Sequence, residues 1–232
     1  MKFKLNSTLL NSVPEIKLGI NHYTRITVSE SPQMLQGRLR LFQEQLFFDL
    51  DDKLVTDYPE VKEWRELWKQ LGADPNEHKL SSEALLLRIQ KQNYIDTCNT
   101  AVDLNNFFSL QHKIPIGIYD LEKISGDVIA SLGTEDDGFT GLNDQYNTMI
   151  NSIQLSDDTS SFASPVVDSK RTAITSSTTD ALHVFYIPPS FDVKTSLELT
   201  TACGNMFTSM SGGDVRTYVV HEGKTSIILD ED

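Results

Sequence analysis

Two stretches and one turn in this chain carry residue types that could do chemistry. The first runs Asn99-Thr100-Ala101-Val102-Asp103-Leu104-Asn105-Asn106, the second Ile114-Pro115-Ile116-Gly117-Ile118-Tyr119-Asp120, and the turn is Asp168-Ser169-Lys170-Arg171-Thr172. Carboxamides and carboxylates set among apolar residues need partners. A carboxylate beside a small concavity can hold an ammonium group, whereas the same residue at a helix start or turn only satisfies backbone N–H groups. Both readings are open for Asn99, Asp103 and Asp120, and Asp168 with Arg171 can equally form a turn ion pair. Elsewhere the searches for HExxH, GxSxG and a phosphate loop are empty. The five histidines are scattered, and Cys98 and Cys203 lie far apart outside any CxxC pair. Neither a metal nor a cofactor is expected, and the two thiols are read as reduced and buried.

The chain has 232 residues, 39% of them hydrophobic, enough for a real core and best read as one compact unit. Acids outnumber Lys plus Arg by 33 to 20, a net charge of −13, and the isoelectric point is about 4.7. A generic nucleic-acid binder has the opposite balance. No apolar run reaches the roughly 20 residues of a membrane helix. Met1-Lys2-Phe3-Lys4-Leu5-Asn6 lacks the apolar core of a secretory signal, so the cytoplasm is the expected compartment.

Several elements must position these residues. Period-two alternation from Lys17 to Val28 predicts a strand. After Ser31-Pro32, the spacing of Leu35, Leu39, Phe42 and Leu46 predicts a helix. A second helix spans about Pro59 to Leu71 with both tryptophans, Trp64 and Trp68, on its core stripe and Gly72 as its stop. A third runs from a serine cap at Ser81-Ser82 to Gln92, a fourth from Asn99 to His112, and a last one from Asp192 or Ser196 to Met210. Short strands are expected near Val128-Ile129, Ile153–Leu155 and Leu182–Ile187, and strand with functional loop from Asp157 to Ser177. A hairpin, Arg216–His221 with Lys224–Leu229, precedes a solvated acidic tail, Asp230-Glu231-Asp232. Helices first and strands later mean an α+β domain.

In this order, Leu71-Gly72-Ala73-Asp74-Pro75, Ser82-Glu83-Ala84-Leu85-Leu86, Asn99 to Asn106, Pro115 to Ile124 and Asp168 to Thr172 resemble the B3/B4 domain of the phenylalanyl-tRNA synthetase β subunit. More narrowly, the resemblance is to free-standing proteins containing that domain alone, and it covers roughly residues 60 to 210. The resemblance implies an α+β fold with a mixed β-sheet and packed helices, residues 1–58 adding an N-terminal strand and helix to a domain of residues 59–232. It also implies a pocket that, in the synthetase, hydrolyses tyrosine wrongly esterified to tRNA. Asn99 and Thr100 match a pair of asparagines before the synthetase's Val-Val-Asp motif, and Asp103 and Asp120 match the acids of its two motifs. Gly117 stands where the editing histidine would be, and neither the synthetase's glycine-rich segment nor the relatives' Trp-Asn-x-Arg is visible near Phe162 to Val167.

The resulting expectation is a stand-alone editing-domain relative that hydrolyses mischarged aminoacyl-tRNA or takes a smaller amino-acid-like ligand, the rival being a binding module without catalysis. Asn99 and Asp120 would act in the reaction. Thr100, Asp103, Ile116, Gly117, Tyr119, Asp168, Ser169 and Thr172 would line the substrate. Lys62, Arg65, Lys69, Lys79, Arg88 and Lys91 would be the tRNA contacts, although Glu60, Glu63 and Glu66 interleave with the first three. With a net charge of −13, counterion release cannot supply affinity for arbitrary RNA. Fluorescence anisotropy at physiological salt should therefore find bulk RNA binding weaker than about 1 µM. Tighter, sequence-indifferent binding would contradict this.

Overall fold

Alternating apolar residues after Lys17, the largely apolar and aromatic run Leu182-His183-Val184-Phe185-Tyr186-Ile187, and Ile116-Gly117-Ile118-Tyr119-Asp120 form the strands that carry the interior. The computed structural model describes residues 1–229; Asp230-Glu231-Asp232, the expected solvated tail, lies outside the described residues. In chain order the elements are β1 (Lys2–Leu5), α1 (Ser7–Ser12), β2 (Lys17–Thr24), α2 (Gln33–Asp49), α3 (Pro59–Gln70), α4 (Ser81–Gln90), α5 (Thr100–His112) and β3 (Ile116–Asp120). There follow β4 (Val128–Leu132), β5 (Gly138–Thr140), β6 (Tyr146–Thr148), β7 (Ile153–Ser156), β8 (Ser161–Ala163), β9 (Ala181–Ile187), α6 (Val193–Ser211), β10 (Asp214–Val220) and β11 (Ser226–Ile228).

The expected α+β class with mixed sheet is what forms. One sheet has the order β11-β1-β4-β7-β8, with β1 and β4 parallel and the other pairs antiparallel. The second, β10-β2-β9-β3, is antiparallel throughout, and β5 and β6 make a separate ribbon. A core shared by both sheets and α3 holds Phe3, Leu18, Ile20, Val128, Leu155, Phe162, Leu182, Val184 and both tryptophans. A second core holds Tyr23, Phe107, Phe108, Ile116, Ile118, Phe185 and Phe207, between the other face of the four-stranded sheet and α5 and α6. Burying side chains of this size is the main favourable term in folding. The tryptophans are fully buried, as their helical spacing predicted.

Glycines set how closely α6 approaches the sheet. A Cβ on Gly19 of β2 would collide with the Thr200 hydroxyl, and one on Gly204 would come within 2.9 Å of the Asn21 amide. In that contact a buried polar chain is fully paired: Thr217 donates to Asn21 Oδ1 at 2.6 Å, and Asn21 Nδ2 donates to the Thr200 carbonyl at 2.9 Å. The Tyr23 hydroxyl meets His183 Nδ1 at 3.1 Å, and His183 Nε2 meets Asn105 Oδ1 at 3.2 Å. Because an amide oxygen only accepts, Nε2 carries the proton and Nδ1 accepts from Tyr23.

Several local expectations shift. The strand from Lys17 ends at Thr24, because Arg25 adopts φ 58°, and Ile26 and Val28 enter the core from a loop. The chain's first residues, read without structure, supply β1 and α1, the latter capped by Asn6. Thus β1 lies between β11 and β4, and β2 between β10 and β9. The serine cap of α4 is absent: Leu80 holds the N-cap position without a side-chain bond, and Ser82 is buried. The hairpin is a turn only. His221 bridges Lys224 across it, but β10 joins one sheet and β11 the other. Cys203 is buried as expected, whereas Cys98 is exposed.

Burial holds His183 and His112 neutral, pushing their pKa values down to about 3 and about 4, with Lys113 adding to the shift at His112. Below about pH 6.5 the unfolded chain takes up protons that the folded chain cannot, so stability falls as pH drops from there towards 4. Paired carboxylates such as Asp157 add their loss only below about pH 4. In an Asp168→Asn variant, which lacks the opposite contribution of the raised Asp168 carboxyl, urea unfolding at about pH 4.5 should therefore show clearly lower stability than at about pH 7. Equal values at the two would contradict the neutral-histidine core.

Candidate functional site

Strand geometry sorts the predicted site residues into two groups. Successive side chains of β3 point to opposite faces. Ile116 and Ile118 enter the core under α5, while Tyr119 enters the core between the sheets, and Gly117 shares its face.

On the Gly117 side, the Tyr119 hydroxyl donates to Asp168 Oδ1 at 2.8 Å, a bond across 49 residues of sequence. The space above Gly117 is filled by that phenol. A Cβ at position 117 would overlap the Tyr119 hydroxyl, lie 2.5 Å from its ring Cζ and 3.1 Å from Asp168 Oδ1. Phe162 packs edge-on against the Tyr119 ring at 5.3 Å, and Trp64 edge-on against Tyr186 at 6.3 Å. The Tyr186 hydroxyl is buried beside that of Tyr119, and Thr172 Oγ1 is buried with no hydrogen-bond partner among the described residues. Asp168 itself is only partly buried, yet loss of water pushes its carboxyl up to about 7, against the opposing pull of the Tyr119 hydrogen bond. Burial, and then the adjacent Asp168 charge, push the Tyr119 phenol well above its ordinary value.

The turn that carries Asp168 is held from outside. Arg171 grips Asp157 with two parallel bonds of 2.9 Å and also donates to the carbonyls of Lys123 and Ser160. Its partner is thus Asp157 rather than Asp168, because the chain reverses between β8 and Asp168 and brings the older acid alongside. Ser169 accepts from the Arg171 backbone N–H at 3.0 Å, and the ribbon β5–β6 leans on the same turn through Leu142 N–H to the Asp168 carbonyl at 2.9 Å. Beneath the ribbon opens a cleft of about 160 Å³, lined among others by His78, Tyr146, Ser164, Val166 and Val167, the last two leading directly into Asp168.

The other predicted residues serve the backbone. Asn99 caps α5, accepting from Val102 N–H at 3.0 Å. Asp103 is buried with both oxygens taken, by the Ser31 hydroxyl at 2.6 Å and the Cys98 N–H at 2.9 Å, and Thr100 N–H donates to the Ser29 carbonyl. Asp120 accepts from Glu122 N–H and the Thr178 hydroxyl, with Lys123 at 3.3 Å. These contacts fix the entry of α5 and the exit of β3, and they draw Asn99, Asp103 and Asp120 away from the Asp168 group. The cations expected to meet tRNA are also engaged: Arg65 is mostly buried against Glu83, Pro75 and Asn76, Lys69 pairs with Glu66, and Lys79 reaches the Asn76 carbonyl. Lys62 faces a cleft shared with Glu63 and Glu66; Arg88 and Lys91 are exposed. Among the described residues no cluster of three or more His, Cys, Asp or Glu could hold a metal, and no helix is long and apolar enough to cross a membrane.

Sequence reasoning missed Tyr186, Asp157 and the Tyr119–Asp168 bond; no local spacing announces them. The energetic sign at Asp168 is testable. Its folded pKa of about 7 lies above the ordinary carboxylate value, so the folded state loses stability as pH rises from about 4 through 7. Asp168→Asn should stabilise the fold at pH 8 by on the order of 2 kcal/mol and flatten that decline, as read by urea unfolding. Asn99→Ala should instead cost ~1 kcal/mol at every pH through loss of the cap. A destabilised Asp168→Asn would contradict the assignment.

Comparison with known proteins follows the same outline. The model of the B3/4 domain family matches residues 63–202, more than half of the chain. A Bacillus subtilis (strain 168) protein, "Uncharacterized protein YhzB", is 32% identical over 221 residues, covering 95% of this chain and 99% of its own. Among solved structures, an N-terminal fragment of the phenylalanyl-tRNA synthetase β subunit from Pyrococcus horikoshii aligns over 92% of this chain at 12% identity and a TM-score of 0.43. This chain spans 50% of that fragment's length. With a family model matched over most of its core elements and a full-length relative at this identity, the chain belongs to the B3/4 domain family.

Proposed function

We propose that this B3/4 protein binds a small ligand bearing an ammonium group, of the amino-acid or aminoacyl type, with Asp168 as the recognising carboxylate. One observation carries the reading: the Asp168 carboxylate lies at the edge of the apolar interior, takes the Tyr119 hydroxyl at 2.8 Å and makes no ion pair among the described residues, and burial pushes its carboxyl up to about 7. A ligand ammonium would supply that charge in a charge-assisted hydrogen bond and return the carboxylate to its ordinary ionisation. The cleft of about 160 Å³ beneath the β5–β6 ribbon reaches Val167, the residue before Asp168, and offers room for a small ligand next to it.

Binding is favoured over the rival, hydrolysis of mischarged aminoacyl-tRNA, by the state of position 117. The resemblance puts the editing histidine there, and this chain fills its space with the Tyr119 hydroxyl. Asn99 and Asp120 are committed to the backbone, which leaves Asp168 as the group of the site that can exchange a proton near neutrality. Loss of one general acid or base costs ~10²- to 10⁴-fold, so any deacylation would be slow and would run through Asp168.

Calorimetry with a panel of amino acids and their methyl esters, against the same compounds lacking the amine, tests the reading. Amine-bearing ligands should bind, and their affinity should rise as pH passes through about 7 and Asp168 ionises. Asp168→Asn should weaken them at least ~10-fold, and Asn99→Ala should not. A parallel assay follows hydrolysis of tyrosyl- and phenylalanyl-tRNA. Rapid deacylation that survives Asp168→Asn, or indifference to every amine, would overturn the proposal.

A further inference from the structure

Helix α2 presents an apolar stripe that the fold leaves uncovered. Met34, Leu41 and Phe48 follow one another at seven-residue intervals, and they are 71%, 68% and 73% exposed. Their opposite face, Leu35, Leu39 and Leu46, is fully used in packing. Gly37 lies on the same outer side with open space where its Cβ would be. Beside the stripe, a groove of about 660 Å³ runs between α2 and α5, with Phe42 and Phe107 in its walls and Arg38 over the Phe107 ring at 5.0 Å. Large apolar side chains exposed at heptad spacing supply one of the two positions per heptad of a helix-pair seam, and a glycine beside them lets a bulky side chain from another helix come close.

The charges along α2 say what the other helix is. Its first half exposes Arg38 and Arg40, the latter in a surface pair with Glu44 at 3.1 Å, while its end and the turn beyond expose Asp49, Asp51 and Asp52 with Lys53, an end that is acidic on balance. A parallel neighbour of the same sequence would set like charges together. An antiparallel one sets the arginines of each helix against the aspartates of the other, twice over, and opposes the helix dipoles favourably. That is the self-complementarity a two-fold interface requires. We infer that α2 is the docking surface for a second copy of this chain, paired antiparallel through Met34, Leu41 and Phe48, with Phe48 of each copy seated near Gly37 of the other.

Sedimentation of the full chain from about 1 µM to about 500 µM tests this. The expected result is a monomer–dimer equilibrium within that range. Leu41→Glu should raise the dissociation constant at least ~30-fold. Because Leu41 is mostly exposed in the folded chain, the variant's melting temperature should match wild type at concentrations where wild type is monomeric, which separates lost association from lost folding. Arg38→Glu with Arg40→Glu should weaken self-association, as should Asp49→Lys with Asp51→Lys and Asp52→Lys. Mixing those two variants should restore a dimer. A chain that remains monomeric throughout, a dimer insensitive to Leu41→Glu, or charge variants that do not rescue each other would each overturn the inference.

Discussion

Every strand must send neighbouring side chains to opposite faces, and in β3 that rule decides which residues can act together. Gly117 and Tyr119 look between the sheets towards Asp168, while Ile116, Ile118 and Asp120 look the other way. A five-residue motif that is contiguous in sequence is therefore two half-motifs in space. One half builds a polar spot inside an aromatic enclosure. The other ties β3 to the loop around Thr178 and to the core beneath α5.

Keeping a carboxyl at the edge of an apolar interior is unfavourable, and the surrounding structure is arranged to tolerate it. The paired Arg171–Asp157 contact holds the turn, the ribbon β5–β6 hydrogen-bonds to it, and Tyr119 supplies a donor from below. Charges are balanced around Asp168 without balancing Asp168 itself. Such local conflict between folding and charge recurs at functional sites, and it is the ground on which the ligand proposal rests. The contrast with Asp103 is direct: more deeply buried than Asp168, it has both oxygens matched by the chain's own donors.

The long amphipathic helices were legible because repeated apolar positions over three or more turns leave little ambiguity. β1 was not, since Lys2–Leu5 offers only Phe3 and Leu5 as evidence of alternation, and its pairing is with residues near 128 and 227. The turn at Glu222-Gly223 was correctly placed by its composition, but which sheet each flanking strand joins depends on partners far away in sequence. The same limit applied at the site. The Asn99 cap could be read locally, whereas the bonds Tyr119–Asp168 and Arg171–Asp157 exist only after the chain has reversed between β7 and Thr172.

The overlap at Gly117 also orders the routes by which this sequence can change. Removing only the hydroxyl of Tyr119 does not reopen position 117, because the ring carbon that bears it would still lie 2.5 Å from a new Cβ. A histidine can enter there only in a lineage whose residue 119 has already become smaller, and the intermediate must live with an Asp168 stripped of its one donor and a hole beside Phe162. Glycine and tyrosine two residues apart thus hold each other in place: each single step away from the pair is penalised, and the step at 119 must come first.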